Sequence, residues 1–227
     1  MKNKYIIIEF IAILVFLIIP PLLVNPGTAA TIANNGKISP FLFLRLIIAI
    51  FLYYQQIYII KKSKKQQNGP KESFRKLILF LSWSALCFGI LMIIQAGMQA
   101  LSMVLPVEYK ENALNLNLDG IDWMIMLFNL LAGAFYEEVI YREFLPETLL
   151  SFSKDRKAAI IMIECACVLV FALSHRYLGI LAVIHALLGG IILRVCRRKS
   201  HGIWAGTLAH FLYNAILLIF TLLQKNA

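Results

Sequence analysis

The sequence predicts an all-α fold, a polytopic transmembrane helical bundle of about seven spans, and three observations carry that expectation. The 227 residues are 60% hydrophobic and only 15% charged, where soluble domains run nearer half apolar and a quarter charged. Mean hydropathy is +0.77, more apolar content than a single soluble core of this length can use. The apolar residues also come as runs near the ~20 residues that a spanning helix needs, with the basic residues in short clusters between them. That placement argues against nucleic acid as a partner, despite a net charge of +10. A phosphate-binding surface gathers Lys and Arg on one face, whereas clusters at the ends of apolar runs follow the positive-inside rule.

The runs lie at roughly 5–24, 41–60, 77–105, 121–150, 157–174, 178–196 and 202–223. The first follows Lys2 and Lys4 and precedes Thr28-Ala29-Ala30, a small-residue stretch like a cleavage site. It is longer than a signal core and ends in Pro20-Pro21, so an uncleaved anchor is the better account. After the second run, the loop Lys61–Lys76 carries Lys61, Lys62, Lys64, Lys65, Lys71, Arg75 and Lys76 and is expected in the cytoplasm. Counting outward, Lys2 and Lys4 fall on the same side, as do Lys154, Arg156 and Lys157, then Arg194, Arg197, Arg198 and Lys199. The segments 25–40 and 106–120, poor in Lys and Arg, fall outside. The expected topology is N-inside and C-outside, and an eighth partial or re-entrant segment would alter the count. The lysine-rich loop and short termini suggest a bacterial cytoplasmic membrane.

Cys87, Cys165, Cys167 and Cys196 lie in or at the ends of apolar runs, with no secreted framework around them. Buried thiol packing is expected rather than disulfides. Glu164 stands alone in an apolar stretch and reads as a buried, protonated or paired structural acid. Glu9 and Arg45 lie near helix ends, within snorkelling reach of water.

Three polar pairs interrupt the apolar second half, each joining residues four apart: Glu138 with Arg142, Phe171 with His175, and His210 with Asn214. That spacing puts both members on one helix face. An ionisable side chain at membrane depth costs about 3 kcal/mol or more unless it is paired or faces a cavity. Glu138 reaches Arg142 one turn later. The adjacent Glu137 points about 100° away, with Tyr141 and no cation at its own turn, so desolvation would suit it to a general base. The plainer account makes Glu137-Glu138 a helix-end patch, with Arg142, Glu143 and Glu147 a solvated face. For His175 the plainer account is an interfacial histidine. For His210 and Asn214 it is interhelical hydrogen bonding.

Taken in order, Glu137-Glu138-Val-Ile-Tyr-Arg142, Phe171-Ala-Leu-Ser-His175 and His210-Phe-Leu-Tyr-Asn214 resemble the CPBP family of intramembrane proteases (CAAX proteases and bacteriocin-processing enzymes, also called Abi proteins). Gly189-Gly190 through Arg194, and Gly202-Ile-Trp204 before His210, look like the family's lead-in to its last motif. His185 and His201 match no motif position. The resemblance covers about residues 121–223. It implies a catalytic helical core there, with a cavity between the later helices, preceded by N-terminal transmembrane helices over 1–120.

The resemblance further implies that Glu137, helped by His175, activates water for attack on a peptide carbonyl of a membrane-anchored peptide or protein. His210 and Asn214 would stabilise the oxyanion, with Glu138, Arg142 and Phe171 in support. The residues themselves agree in part, since peptide hydrolysis needs a base, a second proton carrier and amide or imidazole donors. No Ser or Cys stands beside a base, so a covalent nucleophile is not indicated. No cofactor is favoured. The alternative is zinc held by Glu137, His175 and His210, a ligand set that leaves a water position open. Two other functions stay open: an ion-coupled transporter, and a non-proteolytic relative acting as an acyl-transfer partner or scaffold. The topology also sets a condition. It puts Glu137 past the middle of its span and His175 near the outer end of the next, so a shared site needs a late or tilted helix.

Overall fold

The structure, a computed structural model, describes residues 2–24, 40–63, 70–104, 120–153 and 157–225. The expected outer segments, save Pro40 and Gly120, lie outside these residues, as do Lys64, Lys65, Lys154 and Arg156. Among the described residues the chain is helical and without strands. The helices are α1 (Lys2–Ile13), α2 (Ile19–Leu23), α3 (Pro40–Ser63), α4 (Pro70–Val104), α5 (Gly120–Glu137), α6 (Leu145–Phe152), α7 (Lys157–Leu173), α8 (Ile180–Ser200) and α9 (Trp204–Lys225). Two π-helical segments, Leu14–Ile18 and Glu138–Phe144, join α1 to α2 and α5 to α6.

Every expected apolar run coincides with a helix. Five stretches are long and apolar enough to cross a membrane: Ile6–Leu23, Glu72–Val104, Gly120–Phe152, Ile180–Ser200 and Trp204–Leu223. Of the other two runs, α3 is apolar over Phe41–Gln55, and α7 has 17 residues, just short of a usual span. The protein is a multi-pass helical membrane protein. Helix α4 starts earlier than its apolar run because Pro70 suits a first turn and Glu72 pairs with Lys76 at 2.9 Å.

Both π-helical segments end two residues before a proline, Ile18 before Pro20 and Phe144 before Pro146. A proline has no N–H, and its ring crowds the carbonyl four residues earlier, here those of Phe16 and Arg142. A widened turn relieves that crowding. Residues 138–142, which their spacing places on an α-helix, lie in a π segment instead, and Pro146 is the physical reason.

The helices gather into two compact units. One holds α1, α2, α6, α7, the end of α4 from Ile94, and α8 as far as Ile191. In it α6 packs on α7 and α1, with the Phe10 and Phe152 rings edge to face at 6.5 Å. Gly190 lies so close to Phe171 that a Cβ there would come within 3.0 Å of the ring. That approach explains the glycine on α8.

The other unit holds α3, α4 to Ile93, α5 with the π segment to Phe144, α8 from Ile192, and α9. Its core joins Cys87 and Leu91 of α4, Leu193 and Cys196 of α8, and Ala205, Ala209 and Tyr213 of α9. Small residues such as Ala205 and Ala209 let helices approach closely in a membrane, where packing rather than hydrophobicity drives association. Helix α5 packs on α9 and α3, and α3 also covers the π segment. Cys87, Cys167 and Cys196 are buried and in no disulfide, as packing residues, whereas Cys165, expected to be buried with them, is exposed.

Candidate active site

In the second unit, α5 ends and the π segment begins at the two motif glutamates. Glu138 is fully buried, and its Oε1 lies 3.6 Å from Nε of the equally buried Arg142. Glu143, the next residue, is buried and ion-paired with Arg197 of α8. The solvated-face account therefore fails for Arg142 and Glu143 and holds only for Glu147, which is exposed.

Helix α9 brings His210 against both carboxylates. Its Nδ1 lies 3.2 Å from Glu138 Oε1, and its Nε2 lies 3.8 Å from Glu137 Oε2. Glu137 has no cation one turn along its own helix, and the structure supplies a basic neighbour from another helix. The two glutamates diverge, as adjacent residues must, yet one imidazole serves both through its opposite nitrogens. Glu137 is the accessible member, with 29% of its side chain exposed. Asn214 follows His210 one turn later and is half-buried.

An aromatic group fixes the start of α9. The Trp204 ring stacks on Phe135 of α5 at 5.4 Å, and its Nε1 donates to the Tyr53 hydroxyl of α3 at 2.7 Å. Two residues beyond Trp204, Gly206 faces Glu138. A Cβ on Gly206 would sit 2.9 Å from Glu138 Oε2, and that carboxylate, buried against Arg142 and His210, has little room to yield. Gly206→Ala should therefore lower stability by about 1–3 kcal/mol, an overpacking effect. Thermal unfolding of purified protein checks it; an unchanged midpoint would mean the carboxylate swings aside freely.

In the first unit, α7 ends at Leu173 and its last turn tightens, with the His175 N–H bonding the Ala172 carbonyl at 3.1 Å. The Phe171 carbonyl is thereby left to side chains, as helix C-termini require. It accepts from Ser174 Oγ at 2.7 Å and from His175 Nδ1 at 2.9 Å. A carbonyl only accepts, so His175 Nδ1 carries a proton, which in the neutral ring leaves Nε2 its lone pair. The Phe171 ring stands edge-on to the imidazole at 4.7 Å. The pair thus orients the ring and selects its tautomer.

The structure brings together Glu137, Glu138, Arg142 and His210. His175 and Phe171 form their own local arrangement in the other unit. Among the described residues no three His, Cys, Asp or Glu side chains lie together as metal ligands. Sequence reasoning passed over Arg194, which is buried and donates from Nη1 to the Arg142 carbonyl. It also passed over Arg45, whose guanidinium lies 5.5 Å from the centre of the Tyr136 ring, a cation–π distance. The proline at 146 could have pointed to Arg194; nothing in the spacing points to Arg45.

Residues 119–216 match the family model described as Type II CAAX prenyl endopeptidase Rce1-like. The matched span holds all three motifs, and this is the family they resemble. No curated protein and no solved structure matches the chain.

Proposed function

We propose that this chain, whose residues 119–216 match the Rce1-like CAAX endopeptidase model, is an intramembrane endopeptidase that hydrolyses a peptide bond of a membrane-associated protein or peptide. The observation that carries the reading is one imidazole held between two carboxylates, one buried and ion-paired, the other accessible.

Glu138 is committed to Arg142 and His210, which leaves Glu137 to handle water. Arg142 balances the buried charge of Glu138. Glu137 accepts a proton from water as it attacks the carbonyl, and returns it to the leaving amine. His175 is the second proton carrier. Asn214 and His210 supply donors to the oxyanion. The expected setting is a bacterial cytoplasmic membrane with the N-terminus inside.

The test is cleavage of membrane-anchored peptides by purified protein in lipid, with products read by mass spectrometry. Wild type should cleave and Glu137→Ala should not; equal cleavage by both would defeat the reading. Asn214→Ala removes one oxyanion donor and should lower kcat about 10²–10³-fold with KM nearly unchanged. A rise in KM alone would make Asn214 a binding residue instead.

A further inference from the structure

In an α-helix the Arg142 carbonyl would accept the amide N–H of residue 146, but residue 146 is a proline and has none. The missing donor comes from α8. Arg194, itself buried, donates from Nη1 to that carbonyl. One turn along the same face, Arg197 pairs with Glu143, the next residue of the π segment. Two guanidiniums on α8 thus hold consecutive residues, one by its backbone and one by its carboxylate. The Arg142 side chain faces Glu138, and Glu138 faces His210. A basic cluster at a helix end usually marks the cytoplasmic side. Exposed charge suffices for that, whereas Arg194 is turned inward.

We propose that Arg194 is a positioning residue: it stands in for the amide that Pro146 lacks, holds the π turn open, and so sets Glu137 and Glu138 against His210. Its catalytic consequence rests on the endopeptidase reading; the clamp itself does not. Displacing a reacting group by about 1 Å can lower turnover 10²-fold, so a loosened π turn should reach kcat and spare KM.

The test uses the full chain in detergent or lipid. Arg194→Met keeps length and loses the donors; Arg194→Lys keeps an N–H donor. Arg194→Met should lower Tm and reduce kcat on the order of 10²-fold with KM unchanged, and Arg194→Lys should recover much of both. Pro146→Ala supplies the decisive arm because it returns the backbone amide. In that background Arg194→Met should lower Tm far less than it does beside the native proline, a non-additivity that independent sites do not show. If Arg194→Met alone yields no folded protein, recovery on adding Pro146→Ala is the same result. Equal Tm losses in the two backgrounds, or no effect of Arg194→Met on Tm and kcat, would overturn the proposal. Wild-type protein that cleaves no peptide, yet shows the proline-dependent Tm effect, would defeat the endopeptidase reading and support the clamp.

Discussion

Glu137→Gln should reduce turnover by at least about 10²-fold and leave the fold intact, because an amide of the same size cannot accept the proton of an attacking water. The geometry makes the expectation specific to this residue. Glu137 is the accessible carboxylate of the pair, and its partner His210 Nε2 stands at 3.8 Å, beyond hydrogen-bond length. Losing its charge therefore breaks no short contact. The paired measurements are steady-state cleavage and the thermal midpoint of the same preparation. Full activity in Glu137→Gln would remove Glu137 from the role of base.

Arg142→Ala should be the most destabilising single change in the site. It leaves Glu138 fully buried without the guanidinium that balances it, and stripping one partner from a buried ion pair costs about 3–5 kcal/mol. His210 Nδ1, at 3.2 Å, is then the polar group left against Glu138 Oε1. The variant should thus lose both folded yield and activity. Adding Glu138→Gln should restore folding more than activity, since it removes the stranded charge and not the need for an ordered site. A normal thermal midpoint for Arg142→Ala would mean that water reaches the pair.

Much of the architecture was legible because a membrane helix needs some twenty apolar residues, and few other constraints write so plainly in a sequence. The runs matched helices, and the four-residue step from Glu138 to Arg142 did bring the pair together. What was not legible came from contacts distant in the chain. His210 lies 72 residues from Glu138, and no local spacing reveals that one imidazole spans both glutamates. Arg194 and Arg197 read as topological charges because their composition is that of any cytoplasmic helix end; whether a guanidinium turns inward depends on the packing of α8. Only the plainer account put Glu143 in solvent, and its partner Arg197 lies 54 residues away. Pro146 carries a local signal: its missing amide accompanies the widened turn and an Arg142 carbonyl that accepts from Arg194. The FxxxH spacing suggested ring against ring, and the structure adds that the phenylalanine's carbonyl selects the histidine tautomer.

The most direct measurement is cleavage of a membrane-anchored peptide by exhaustively chelated wild-type protein in lipid, with Glu137→Gln run beside it. The account predicts sustained turnover by the metal-free wild type and a loss of at least about 10²-fold in the variant. Cleavage that stops on chelation and returns with zinc would contradict the glutamate-activated water, and equal cleavage by both proteins would contradict the assigned base.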